Sequence, residues 1–177
     1  MTEREREYLY LLCRIKGLGA VTIRRLREIY DSFESIYYIE ETGREEDFPA
    51  LYRVYARIRD GRGSREKILE EYHRMADRGI QFITSEDEEY PVRLKEIYDY
   101  PMGLCVKGRL PAKDSPAAAI VGARENTEYG RAMAEWYGRE LSAAGVWVVS
   151  GLARGTDSAA HRGALQAGGR LLSIQFH

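Results

Sequence analysis

Two short apolar runs, Ala117–Val121 and Val146–Val149, each lead through a glycine-bearing loop into a helical pattern. This repeated strand–loop–helix unit limits the possible folds more than any other feature of the chain. Neither run alternates with polar residues, as expected of strands buried on both faces. Gly122 to Asn126 reads as the first loop, and Thr127 to Ala144 as a helix that Gly145 ends. Ser150 to Gly155 reads as the second loop. Thr156 or Asp157 then caps a helix that ends at Gly168-Gly169, and Leu171 to Phe176 reads as a third strand. The repeat predicts a parallel sheet with right-handed crossovers, an α/β architecture. Ligands in such folds sit on the loops at the carboxyl ends of the strands.

The front half reads differently. Tyr8 to Lys16 is an apolar helical segment broken by Gly17-Leu18-Gly19. Val21 to Tyr30 resumes it, with Val21, Leu26 and Ile29 on one side and Arg24, Arg25 and Arg27 between them. Helix, Gly-Leu-Gly turn, helix is the layout of a helix-hairpin-helix. There Gly17 and Gly19 would let backbone approach a phosphate and the next helix would offer free N–H groups, a second nucleic-acid contact. An ordinary tight turn between packed helices is the other reading, and the pattern alone does not separate the two. Further helices are expected at Phe33–Ile39 and Ala50–Arg59, with breaks at Gly43 and at Gly61/Gly63. Another, N-capped by Ser64, should run to about Arg78 and stop at Gly79. Gln81–Thr84 and Leu104–Val106 are short strand candidates. The expected organisation is a helical domain over 1–85, of helix-hairpin-helix/SAM-like type, then an incomplete Rossmann-like domain over 86–177. The change of architecture falls between about 85 and 115.

The 177 residues, 44% of them apolar, suffice for one domain or two small ones. Residues 1–89 carry 16 Lys+Arg against 20 Asp+Glu, whereas residues 90–177 carry 11 against 8. The mildly basic second half suits an anionic ligand without demanding one. No window approaches 18 uninterrupted apolar residues, so no membrane span is expected. Met1 to Glu7 is charged throughout and does not read as a secretory signal. Cys13 and Cys105 belong to no CxxC motif and read as free thiols of a reducing cytosol. Glu86 to Glu89 reads as a solvated acidic loop. Most of the 13 tyrosines, among them Tyr8, Tyr10, Tyr30, Tyr37, Tyr38, Tyr52 and Tyr55, lie at helical spacing in the first half. That spacing favours packing over base stacking.

The chemistry concentrates in the two loops. In the first, Gly122 stands where a strand turns into a helix, so a side chain there would block backbone approach. The helix starting near Thr127 aims its N–H groups and positive dipole end at the loop. Beside Ala123, Arg124 adds a planar, permanently charged fork suited to phosphate. The glycines of GxGxxG are incomplete and no Gly-Lys-Ser/Thr follows, so neither a dinucleotide fingerprint nor a Walker A loop is present. In the second loop, Gly151 and Gly155 permit tight backbone around Arg154. Asp157 and His161 share one face of the next helix. They read either as part of an anion pocket or as a structural pair, and both readings stand. Two ligands without a third do not make a metal site, and Ser150 sits in no GxSxG elbow. No catalytic residue and no cofactor are expected.

Val121-Gly122-Ala123-Arg124 with Thr127 and Tyr129-Gly130, then Ser150 to Asp157 with Ala160-His161 and Ala164-Leu165, resembles the DprA/Smf family. Tyr90-Pro91, Leu94, Ile97, Pro101 and Gly108 extend the likeness upstream, and the helical front with Gly17-Leu18-Gly19 is similar to the family's N-terminal domain. The resemblance implies a cytoplasmic, non-enzymatic protein that binds single-stranded DNA and delivers it to RecA during natural transformation and recombination. It also implies a homodimer in full-length members. Arg124 and the backbone at Gly122 would hold a phosphate, and the stretch Gly151–Asp157 would form the adjoining wall. Family members continue after the second helix with further strands and helices. Here Arg170 is followed by seven residues and a stop, which reads as a truncation, a frameshift or a fragment and puts the RecA and dimer surfaces in question. The rival reading is a nucleotide-binding hydrolase related to nucleotide ribosyl hydrolases, although no glutamate stands in the second loop for that chemistry. A protein-interaction module without a ligand is the third.

Overall fold

The computed structural model describes residues 1–40 and 49–174. It divides into two compact units, Met1–Arg109 and Leu110–His177. The expected break at Gly43 and the end of the expected third strand lie outside the described residues.

The first unit opens with α1 (Glu3–Cys13), capped by the Thr2 hydroxyl, which accepts the Glu5 N–H at 3.3 Å. Five consecutive residues, Tyr8 to Leu12, are buried. That run covers more than one turn, so the second half of α1 is central; α1 packs against α3 (Phe33–Tyr37) and α5 (Arg65–Asp77), and α2 (Ala20–Ile29) and α4 (Pro49–Gly61) share its core. Leu9, Leu12, Ile23, Phe33, Ile36 and Ile58 form the centre of their common core. Tyr8, Tyr10, Tyr37 and Tyr55 are buried, in keeping with packing roles; Tyr38 is exposed. Ser64 is the N-cap residue of α5, as expected, but it also closes a 3-10 turn (Arg62–Ser64) and its side chain accepts no capping bond.

The unit continues past residue 85. β1 (Ile80–Thr84) pairs antiparallel with β2 (Gly103–Lys107). A Cβ on Gly103 would stand 2.2 Å from the Phe82 ring, so only glycine fits that rung. Met102, just before β2, is buried in the helical core. The compact unit therefore ends at Arg109, within the 85–115 window but later than the line drawn after residue 85. The acidic stretch is also not wholly solvated. Asp87 receives two bonds from the Arg6 guanidinium, and its Oδ2 accepts the Thr84 N–H at 2.7 Å and hydroxyl at 2.9 Å. These donors hold the Asp87 carboxyl well below the usual carboxylate range.

The second unit is a three-stranded parallel sheet in the order β3 (Ala117–Ala119), β4 (Trp147–Ser150), β5 (Leu171–Ser173). In register, Ala118 pairs with Val148 and Ser150 with Ser173. Between the strands run α6 (Glu128–Ala143) and α7 (Thr156–Gln166). The helices pack on each other at two glycines. A Cβ on Gly138 would lie 2.1 Å from the Ala160 carbonyl oxygen, and one on Gly163 1.9 Å from that of Glu135. The Ser142 hydroxyl donates to the Ala164 carbonyl at 3.1 Å across the same contact. Val148, Ala160 and Ala164 form the core, with Ile120, Leu141 and Leu171 against it.

The first apolar run is not buried on both faces: Ala117 and Ala119 are exposed, and Val121 is 73% exposed. Both helices contact each other and β4, so they occupy one face of the sheet. Apolarity of a three-residue alanine strand does not report which face is covered.

Candidate nucleic-acid interface

The two loops at the carboxyl ends of β3 and β4 are locked together. The Ala123 carbonyl accepts the Thr156 N–H at 3.2 Å and its hydroxyl at 3.3 Å, and Asn126 Nδ2 donates to Thr156 Oγ1 at 3.4 Å. A Cβ on Gly122 would meet the Thr156 side chain at 2.7–3.0 Å. Gly122 is thus required by loop packing, where the sequence suggested room for a ligand. Gly155 is the N-cap of α7 at φ +90, and a Cβ there would stand 2.4 Å from the carbonyl oxygens of both Ala123 and Arg124. Glycine is needed on both counts. Neither Thr156 nor Asp157 is the side-chain cap expected for this helix.

Thr127 caps α6, its hydroxyl accepting the Gly130 N–H at 3.1 Å. Asp157 is buried, and its Oδ2 accepts the Gly151 N–H at 3.1 Å. The Ser150 hydroxyl donates to the Ile120 carbonyl at 2.7 Å. Leu152, at φ +58, takes a backbone conformation uncommon for a side-chain-bearing residue. His161 is buried beneath the loop with neither ring nitrogen in hydrogen-bond geometry with a described partner. Burial pushes it below the ordinary imidazole value; the nearby Leu172 carbonyl and the Asp157 carboxylate offset this only in part.

Above this frame lies a concavity of about 440 Å³ lined by Arg124, Glu125, Asn126, Arg131, Gly155 and Arg162. Three guanidinium groups converge there against one carboxylate. Arg162 also faces Glu135 at 3.8 Å, which offsets part of its charge. Of the residues singled out from sequence, Arg124 and Gly155 line the concavity. Ala123 and Gly122 hold its wall from behind, Thr127 caps the helix at its rim, and Gly151, Asp157 and His161 lie in the supporting layer. Arg154 is exposed outside the lining.

Arg131, Arg162 and Asn126 were not foreseen. Arg131 had a readable signal, since a cation in the first turns of a helix opposes the helix dipole and needs another reason to be there. Arg162 had none, because only the glycine contact between α6 and α7 brings it alongside.

Gly17 and Gly19 belong to the helical unit. Gly17 is at φ +79, and its carbonyl accepts Arg57 Nη1 at 2.8 Å. Gly19 is the N-cap of α2 and has open space around it. Arg24, expected on the polar side of α2, donates to the Tyr98 and Tyr100 carbonyls and lies over the Tyr100 ring.

A helical unit followed by a parallel sheet, with a cationic concavity over the strand carboxyl ends, places the chain among Rossmann-like α/β proteins with an N-terminal helical unit. Residues 81–175 match the family described as DNA recombination-mediator protein A, and the chain belongs to that family, the DprA/Smf proteins. It is 29% identical over 180 residues to Protein Smf of Synechocystis, covering 98% of this chain and 44% of that protein. It is 42% identical over 88 residues to the DNA processing protein DprA of Streptococcus pneumoniae, half of this chain and 31% of that one. The X-ray structure of Streptococcus pneumoniae DprA superposes with a TM-score of 0.64 at 26% identity, covering 99% of this chain and 58% of that chain. The chain thus spans less than two thirds of these relatives. No described helix is long and apolar enough to cross a membrane.

Proposed function

We propose that the second unit binds the phosphate backbone of single-stranded DNA in the arginine-lined concavity. The observation that carries this reading is the convergence of Arg124, Arg131 and Arg162 beside the N-terminus of α7. Guanidinium forks and free helix N–H groups recognise phosphate without reading sequence. Arg154 and the stretch Gly151–Asp157 form the adjoining wall, and Gly17 and Gly19 a second contact in the helical unit. The chain acts as a binding protein with no catalytic residue, cofactor or metal of its own, in the cytoplasm. In the longer protein, this unit would present the strand to RecA within a homodimer, as the family resemblance implies for uptake and recombination of DNA.

The test is a fluorescence-anisotropy titration of a labelled oligonucleotide at two salt concentrations. Arg124→Ala is expected to weaken binding by about 1–3 kcal/mol and to flatten the salt dependence. Unchanged binding refutes the assignment, and tighter binding of duplex than of single strand refutes the preference. Nucleoside monophosphate turnover that tracks the purified protein and disappears in Asp157→Ala, with the fold kept by circular dichroism, would revive the hydrolase reading.

A further inference from the structure

The outer face of α6 carries an aromatic stripe that the concavity does not use. At 3.6 residues per turn, Tyr129, Met133, Trp136 and Tyr137 fall on one side of the helix. Ala134, Gly138 and Ser142, which are buried, fall on the other. Tyr129 is 74% exposed, Tyr137 51% and Trp136 44%. The Trp136 and Tyr137 rings meet edge to face with centroids 4.8 Å apart, so each orients the other.

Two of the three carboxylates of α6 are already matched. Glu135 accepts Gln166 Nε2 at 2.8 Å and faces Arg162, and Glu140 pairs with Arg139 at 3.1 Å. Glu128 sits in the first turn, where the positive end of the helix offsets its charge. The stripe starts in the first turn of α6, at the end of the helix that borders the concavity. Asn126 and Arg131 line that cavity on either side of the α6 N-terminus. Tyr129 lies in the same first turn, and helical side chains lean toward the N-terminus.

We infer that this face is a base-stacking platform. A single strand whose phosphates occupy the arginine concavity would cross the N-terminus of α6 and lay its bases on Tyr129, Trp136 and Tyr137. The inference rests on the phosphate reading of the concavity. Bases fit the stripe because each presents a π-face, so stacking needs flat rings and no particular hydrogen-bond pattern. The face offers three aromatic rings along roughly 12 Å of helix and no leucine, isoleucine or valine of the kind that would seat a partner helix. The adjoining arginines supply the charge complement that a nucleic acid needs and an apolar protein surface does not.

The experiment titrates the 177-residue chain with an oligothymidine and with an abasic oligonucleotide of equal length. Trp136→Ala is expected to weaken oligothymidine binding roughly 5- to 150-fold and to leave abasic binding unchanged, while Trp136→Phe stays close to the parent. Tyr129→Ala should behave like Trp136→Ala. Arg124→Ala should weaken binding of both oligonucleotides. Parent-like oligothymidine binding by Trp136→Ala and Tyr129→Ala overturns the platform, as does an equal loss on both oligonucleotides. A dimer that Trp136→Ala turns into a monomer in sedimentation also overturns it and assigns the face to a second copy of the chain. If Arg124→Ala leaves both titrations unchanged while Trp136→Ala lowers only the oligothymidine one, the concavity reading falls and the platform stands.

Discussion

The Asp157 carboxylate accepts the Gly151 N–H at 3.1 Å and so ties the exit of β4 to the first turn of α7. The bond is part-buried, with Asp157 itself buried and Gly151 exposed, and it fixes the loop that carries Gly155 to the concavity. Removing the acceptor leaves a backbone donor without its partner. Asp157→Ala should therefore destabilise the second unit by about 1.5–3 kcal/mol, the range for a hydrogen bond to a charged group. Asp157→Asn, which keeps an acceptor oxygen, should cost less. Both tryptophans, Trp136 and Trp147, lie in the second unit, so their fluorescence in a urea titration reads this unit alone.

The lining of the concavity makes opposite predictions for its two signs of charge. Arg131→Ala should weaken oligonucleotide binding about as much as Arg124→Ala and reduce the salt slope by roughly 1. Glu125→Gln should tighten binding by up to about 1 kcal/mol, because it removes a like charge facing the phosphate. Anisotropy titrations across a salt series check both, and weaker binding by Glu125→Gln would contradict an anionic ligand.

The glycine contact between α6 and α7 should be intolerant of even one methyl. In Gly163→Ala the new carbon meets backbone of the facing helix at 1.9 Å, so the helices must separate. The expected loss is about 3 kcal/mol or more, at the upper end of overpacking costs. Gly168→Ala has nothing within 4 Å and suffers only its φ of +107, an expected cost of about 1–2 kcal/mol. Thermal unfolding followed by tryptophan fluorescence should rank the two in that order.

Acid should weaken the two units in separate windows. The folded-state value of His161 is lowered, so its neutral form stabilises the second unit above the unfolded value, about 6.5; this contribution fades as pH falls below that. Asp87 is also lowered, but from the carboxylate range, so the first unit begins to lose its contribution only below about pH 4. Tryptophan fluorescence should therefore report weakening of the second unit as pH falls below about 6.5, and His161→Gln should remove that step. In the first unit, Asp87→Asn should lower stability near neutral pH and flatten the loss on further acidification, as read by circular dichroism.

The sequence alone determined the order of the main elements and singled out the two glycine loops that the structure brings together. Strand, glycine loop and helix in repeated succession specify parallel strands, because a crossover helix between two strands returns the chain in the same direction. Thr127, Gly145 and Gly79 marked helix ends through local backbone chemistry that neighbours do not alter. Arg124 was legible because loop, arginine and helix start are adjacent in the chain.

What only the tertiary structure decided depends on residues far apart in sequence. Arg162 and Arg131 join Arg124 because Gly138 and Gly163 let α6 and α7 touch, a contact no local pattern encodes. Gly122 proved to be filled by Thr156, 34 positions away in the chain. The first unit extends to Arg109 because β2 returns to pair with β1 and places Met102 in the helical core. Asp87 reads as one of four acids on a loop until Arg6, 81 residues earlier, is seen to clasp it. Local propensity acts over a few residues, whereas packing and charge pairing act through space, and the concavity is made by the second.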